Sequence, residues 1–224
     1  EYWKSLLVSV ERVLLAVPMS MLVCVLAAFP LSRLDREFPA RKVYIWIFVI
    51  PMLIGGGLIP SYMVVRETKL INSIWALVVP NCVNVFNVIL LMNFFRSLPK
   101  ELEEAAYVDG ATNWKVLWKI ILPISKPVLA TVTLFVIVNH WNAWFDGLIF
   151  LTNPDHYPLQ PYLQTQVVSA NLMALESLRD IRQIGMISDR TGKAAQIFLA
   201  AVPVLMIYPF LQKYFTSGIV MGSV

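Results

Sequence analysis

The sequence predicts an all-α, polytopic transmembrane helix bundle with five spans in this chain, and three observations predict it. The first is composition: 58% of the 224 residues are hydrophobic and 14% are charged, against about half and about a quarter in soluble domains. The second is a set of five long runs free of Asp, Glu, Lys and Arg: Val13–Leu31, Val43–Val65, Leu70–Phe95, Pro127–Phe145 and Ala194–Gln212. Each is close to the roughly 20 residues that cross a bilayer as a helix. The third is what interrupts these runs, namely Pro18, Pro51, Pro60, Pro80, Pro203 and Gly55-Gly56-Gly57. A proline in hydrocarbon frees a carbonyl that must find a neighbouring helix, a hydroxyl or a water. A packed bundle with an irregular interior meets that demand; isolated lipid anchors do not.

The same composition excludes other classes. Eighteen Lys and Arg against fourteen Asp and Glu leave a net charge of +4, too small a surplus for a nucleic-acid binder. The apolar dominance excludes disorder despite fourteen prolines. Cys24 and Cys82 both lie inside apolar runs, which suits buried packing thiols and not a disulfide framework or a metal site. The first run is too long for a signal peptide and lacks a small-residue cleavage pattern. Residues 1–224 therefore read as one transmembrane domain.

Taken in order, the first span begins just after Glu11 and Arg12, which are most simply interfacial. The second contains the triple glycine, where backbones approach closely or the helix breaks. The third carries Asn81, Asn84 and Asn87 at every third residue, within about a third of a helix circumference. The fourth carries Asn139, Asn142 and Asp146 on a narrower arc, with Asn139 about 18 Å along the helix from Pro127 and so near mid-bilayer. Polar groups at that depth are costly unless paired or wet. Two readings stay open: hydrogen bonds between helices that fix the bundle, or a polar path through it. His140 reads as a packed hydrogen-bonding residue in preference to a proton relay, and His156, beside Asn153-Pro154-Asp155, as a solvated loop residue.

Between the third and fourth spans lies a polar segment, residues 96–126. Pro99 suits the first position of a helix, and Glu101, Glu103 and Glu104 suit its positive end. Leu102, Ala105 and Ala106 give that helix a narrow apolar face. Gly110 supplies a stop, Thr112 or Asn113 caps a second helix, and Pro123 ends it. The product is a helix–turn–helix elbow, either an amphipathic connector on the membrane surface or a docking element. The other long connection, residues 152–193, is punctuated by Pro158 and Pro161. Val167, Val168, Leu172, Leu175 and Leu178 suggest a partly amphipathic helix there, followed by a charged patch from Arg179 to Arg182. Gly192-Lys193 is not a phosphate loop, because Ile187 stands at the glycine position and Ala194 at the hydroxyl position. No nucleophile constellation or metal-ligand spacing appears, so no catalytic residue, metal or cofactor is assigned to this chain.

The elbow carries a resemblance. Glu104-Ala105-Ala106, Gly110, Ile120 and Leu122-Pro123 fill every position of the EAA signature at its spacing, and the chain resembles the permease subunits of ABC importers. Ala27-Ala28-Phe29-Pro30-Leu31-Ser32-Arg33 looks like the end of that family's early span, with Phe29 and Pro30 where tyrosine and alanine are more usual. Gly57-Leu58-Ile59-Pro60, Phe94 to Pro99, Trp141-Asn142 and the ending Tyr214 to Val224 are similar to the carbohydrate-uptake branch. The run from Gly55 to Gln160 most resembles permeases for complex or acidic oligosaccharides, including alginate-type importers.

The resemblance implies a type I ABC importer permease fold, with a sixth span expected before Glu1. It implies that the elbow is a cytoplasmic coupling helix seated on an ATPase subunit, with Glu104, Ala105, Ala106, Asp109, Gly110, Ile120, Leu122 and Pro123 as coupling residues. It implies as partners two ATP-binding subunits, which would carry ATP and Mg, a second homologous permease subunit, and an extracytoplasmic solute-binding protein facing residues 152–193. The setting is the bilayer of a bacterial cytoplasmic membrane, the solute is an oligosaccharide, and nucleic acid is not a partner. Orientation follows: ten basic residues fall on the elbow side and eight on the other, a weak positive-inside bias that agrees. With a sugar as cargo, Asn81, Asn84, Asn87, Asn139, Asn142 and Asp146 supply paired donors and acceptors, and Trp141 or Trp144 an aromatic face. The competing readings are an ABC permease for another solute and, from a different class, a secondary transporter or channel, which would show inverted repeats or charge relays.

Overall fold

The computed structural model describes residues 1–166, Phe198, 200–203, 205 and 206, and its regular elements are all helical among those residues. The axis of the molecule is α1, Tyr2–Ser32, an unbroken helix despite Pro18 and Pro30 inside it. Its buried positions include Ser5, Ser9, Ala16, Ser20, Cys24 and Ala28, all at most 3% exposed. With Arg12 between Ser9 and Ala16 these recur every three or four residues, so one edge of α1 is a stripe of small side chains interrupted by that arginine. In a bilayer, where apolar residues gain little by leaving lipid, such a stripe lets neighbouring backbones come close enough for dispersion to hold them. The neighbours are α5, Val85–Ser97, and α9, Lys126–Asn142. With Val88, Leu91, Met92, Phe95, Val128, Val132 and Val136 they enclose the largest core cluster.

The other runs are not straight spans. The predicted second span, Val43–Val65, is two helices, α2 (Arg41–Leu53) and α3 (Leu58–Glu67), set at 116° to each other. The break falls at the glycines: Gly57 has φ +83°, a region that favours residues without a Cβ, and Pro60 sits in the first turn of α3. The third run breaks at 46° between α4 (Trp75–Val78), which tightens into a 3-10 turn over Val79–Asn81, and α5. Asn81, Asn84 and Asn87 are therefore not on one continuous helix. Pro80 interrupts the backbone ladder, and Asn84 caps α5 by accepting from the N–H groups of Phe86 and Asn87 at 3.0 and 3.4 Å. The fourth span ends at Asn142, short of the expected Phe145, and Asp146 belongs to a separate helix, α10 (Phe145–Phe150).

Among the described residues only α1 is long and apolar enough to cross a membrane alone; the bent pairs qualify only when each is taken as one span. Of the fifth run, Ala194–Gln212, the residues described are helical. The predicted amphipathic helix after Gln166, the Arg179–Arg182 patch, Gly192-Lys193 and the terminal Tyr214–Val224 motif lie outside the described residues.

Arg12 is the largest correction. It is not interfacial but fully buried, at 0% exposure. The Arg33–Lys42 turn is exposed at its middle, residues 34–37, and anchored by a buried arginine: Arg41 Nε donates to the Leu31 carbonyl at 2.7 Å, and Asp35 accepts from Arg41 at 2.9 Å and faces Lys42 at 3.3 Å. Those donors hold the Asp35 carboxyl below its ordinary value. Its contribution is thus present at neutral pH and is lost as pH falls through that lowered value. Ser20→Leu or Ala28→Leu forces a branched side chain into the α1 stripe and is expected to cost about 1–3 kcal/mol. Thermal unfolding in detergent reads that cost, and an unchanged midpoint would show that the stripe is not a close contact.

Candidate functional site

Two features stand apart from the packed core: a cleft between the broken helices and the elbow at the other end of α1. The cleft is built around Arg12. Its Nη1 donates to the Ala143 carbonyl and to Asp146 Oδ1, both at 3.2 Å, and its Nη2 donates to the Leu77 carbonyl at 3.3 Å and to Asp146 Oδ2. Leu77 lies where α4 tightens into its 3-10 turn, and Ala143 lies between α9 and α10. Carbonyls at such breaks lack a helical donor, and a buried guanidinium with five donors can supply one to each. Asp146 also accepts from Gly147 N at 2.8 Å and from Asn81 Nδ2 at 3.3 Å. Its charge is thus neutralised and both of its oxygens are engaged.

Around this network opens a cleft of about 860 Å³ lined by Arg12, Asn81, Asn84, Phe86, Asn87, Phe135, Asn139, His140, Asn142, Trp144, Phe145 and Asp146 among others. The structure brings together all five of the predicted amides and the acid. They differ in availability. Asn87 is buried, Asn84 is occupied as a cap and Asn81 is bonded to Asp146, whereas Asn139 and Asn142 are exposed to the cleft. Trp141 is the exception: it turns away, 4% exposed, with its Nε1 donating to the Ala200 carbonyl at 2.9 Å in a cluster with Leu159 and Leu163. The aromatic faces in the cleft are those of Trp144, Phe145, Phe86 and Phe135. His140 is 3% exposed, with no partner for Nε2 among the described residues, and His156 is exposed.

Sequence reasoning did not find Arg12 as a keystone, although an arginine at the head of an apolar run and a lone acid at the end of another were its signals. Nor did it single out Gly147, where an added Cβ would lie 2.4 Å from Pro161 Cγ; that glycine lets the segment after His156 fold across α10. The segment is also tied to α1, since Leu159 N donates to Ser9 Oγ at 2.7 Å.

The elbow is formed by α6 (Glu101–Val108) and α7 (Asn113–Val116), the latter running through a π-turn, Leu117–Ile121, into α8 (Leu122–Ile124). Pro99 precedes the cap residue Lys100 and does not occupy the first turn. Pro123 does not end the second helix: the chain continues to Ile124 and turns 83° into α9. Leaving α6, the chain makes a Schellman stop. Ala111 N donates to the Ala106 carbonyl at 2.9 Å and Gly110 N to the Tyr107 carbonyl at 3.0 Å, with Gly110 at φ +75°. Thr112 Oγ1 accepts from Lys115 N at 3.5 Å to cap α7. Tyr107 Oη donates to Asn113 Oδ1 at 2.7 Å across the bend, and partial burial pushes that phenol above its ordinary value.

Of the predicted coupling residues, Ala106 and Ile121's neighbours Ile120 and Leu122 pack on the core, whereas Glu104, Ala105, Asp109 and Gly110 are exposed. Leu102, expected on the apolar face, is 42% exposed. The elbow is thus held from beneath and presents an acid, a small residue and a glycine turn outward. A groove of about 640 Å³ beside it is lined by Arg33, Glu37, Arg96, Lys100, Glu103, Glu104 and Tyr107 among others.

A family model described as "binding-protein-dependent transport system inner membrane component" matches residues 4–221. Among similar proteins, the polygalacturonan/rhamnogalacturonan transport system permease protein YtcP of Bacillus subtilis (strain 168) is 38% identical over 99% of this chain and 77% of its own length. Protein LplC of the same strain is 40% identical over 88% of this chain and 65% of its own length. Among solved structures, a chain of a bacterial ABC transporter involved in the import of the acidic polysaccharide alginate superposes with a TM-score of 0.84 at 31% identity, covering 96% of this chain and 75% of that one. Arg12→Leu leaves Asp146 and two carbonyls without their donor and is expected to cost about 3–5 kcal/mol. Arg12→Leu/Asp146→Leu should recover much of it in a double-mutant cycle of detergent unfolding, and strictly additive penalties would show that the two side chains do not act as a pair.

Proposed function

The chain belongs to the family of inner membrane components of binding-protein-dependent transport systems, and on that premise we propose that it is one transmembrane half of an ATP-driven importer for a complex or acidic oligosaccharide. The observation that carries the reading is the elbow: a structured turn clamped to the core whose Glu104, Ala105 and Gly110 face outward. A small residue beside an acid at a fixed bend suits close seating against another subunit, with Glu104 pairing a basic group there. In this reading two ATP-binding subunits, which carry ATP and Mg, seat the elbows of this chain and of a second homologous permease subunit. An extracytoplasmic solute-binding protein delivers the solute at the opposite face. Closure of the ATPase pair moves the elbows and rocks the helices between inward-open and outward-open states, as in other rigid-body transitions. The elbow then lies on the cytoplasmic side, and residues 152–193 lie outside.

The cleft supports the cargo class. Exposed amides at Asn139 and Asn142 offer donors and acceptors to hydroxyl groups, and Trp144 and Phe145 offer flat faces to sugar rings. Two similar proteins point the same way, one named for polygalacturonan/rhamnogalacturonan transport and one from an importer of the acidic polysaccharide alginate. Reconstituted into vesicles with its ATPase and partner permease, the chain is expected to co-purify with the ATPase and to support ATP-dependent uptake of an acidic oligosaccharide. Asn139→Ala/Asn142→Ala should lower that uptake roughly tenfold or more, the scale of losing two hydrogen bonds, while assembly is retained. Full uptake by the double variant, or a functional complex that holds no ATPase, would contradict the proposal.

A further inference from the structure

The long helix α1 carries a buried ion pair near one end and a largely shielded one just past the other, and we infer that it is the rod by which movement of the elbow reaches the cleft, with Arg33 and Glu103 as the positioning residues that join the rod to the elbow. The inference rests on the importer reading above and specifies a route within it.

At the elbow end, Arg33 follows the last residue of α1. Its backbone N–H donates to the Pro30 carbonyl at 3.2 Å, its guanidinium lies 4.4 Å from the centroid of the Phe29 ring, and its Nη1 pairs with Glu103 of α6, with Glu37 at 3.9 Å. The Arg33 and Glu103 side chains are 15% and 16% exposed, so the pair is largely shielded from the screening that makes surface pairs weak. It matters because α6 has few other anchors: Ala106 is its only buried residue. Through Arg33–Glu103 the outward-facing helix of the elbow is joined to α1.

From Arg33 to Arg12 is about 31 Å along α1 at 1.5 Å per residue. Over that length the helix is unbroken, and Ser20, Cys24 and Ala28 are at most 2% exposed against neighbouring helices. Packed small residues leave no slack in which a displacement could dissipate, since close-packed interiors shift between arrangements in preference to deforming. At the far end Arg12 holds the Leu77 carbonyl, the Ala143 carbonyl and Asp146 together. Those groups belong to α4, the α9–α10 junction and α10, the joints that border the cleft. A shift of α6 that keeps Arg33–Glu103 intact must shift α1, and a shift of α1 must move the joints with it.

The competing role for the same contact is a latch that opens in every cycle, and the two differ in what a permanent link does. The complex of this chain with its ATPase and partner permease, reconstituted in vesicles, is assayed for solute imported per ATP hydrolysed. Glu103→Gln keeps the shape and removes the charge; it is expected to retain ATP hydrolysis and lower that ratio on the order of tenfold, a typical coupling energy. Arg33→Cys/Glu103→Cys should be similarly uncoupled, and bridging the two thiols with a flexible bis-maleimide should return the ratio towards wild type. The native Cys24 and Cys82 are both buried and do not compete for the reagent. A wild-type ratio in Glu103→Gln, or arrest of transport by the bridge, overturns the inference while leaving the importer reading in place. Absence of ATP-driven uptake by the wild-type complex overturns both.

Discussion

A charged side chain with no access to water must be paired, and Arg12 sets that condition at the centre of this molecule. The buried pair with Asp146 is not itself a strong source of stability, because the cost of dehydrating both groups offsets most of their attraction. What it imposes is geometry. Arg12 can sit at 0% exposure only if Asp146, the Leu77 carbonyl and the Ala143 carbonyl all converge on it. Those carbonyls are available only because α4 and α9 break where they do, so the ion pair and the helix breaks require one another. Irregular backbone at membrane depth is tolerated where it is buried in protein or borders a cavity, and here it does both.

The cleft inherits its character from that arrangement. Because Asp146 is neutralised by Arg12 and shared with Asn81 and Gly147, the polar groups left facing the cleft are amides beside aromatic rings. Such a wall offers hydrogen-bond donors, acceptors and flat apolar faces and leaves its own charge unused. The elbow at the other end of α1 is built on the opposite plan: its polar and small residues point away from the core, and its internal bonds, the Schellman stop and the Tyr107–Asn113 link, fix its shape without using its outer face.

The fold class and the elbow were legible in the sequence because both rest on local signals. Length of apolar runs reports spanning, and a signature of fixed spacing with a left-handed glycine at its bend reports a particular turn. The helix breaks were only half legible. Gly55-Gly56-Gly57 and Pro80 announced that something interrupts the second and third runs, but a 116° reversal and a change to 3-10 geometry depend on what packs alongside. Arg12 was misplaced for the same reason. Beside Glu11 at the edge of an apolar run it resembles an interfacial charge, and only the convergence of α4 and α10, distant in sequence, makes its burial possible. Trp141 and Trp144 show the limit most plainly: neighbours in sequence, they face opposite surroundings because α9 ends between them.

The central claim is that an ATP-driven movement of the elbow opens and closes the cleft. The most direct measurement is the reactivity of a single thiol at Asn142→Cys towards a membrane-impermeant reagent, in the assembled complex, with and without a non-hydrolysable ATP analogue. Nucleotide binding is expected to change the labelling rate several-fold, as the cleft exchanges one side of the membrane for the other. A rate that is the same in both conditions, in a complex that demonstrably binds the nucleotide, would contradict it.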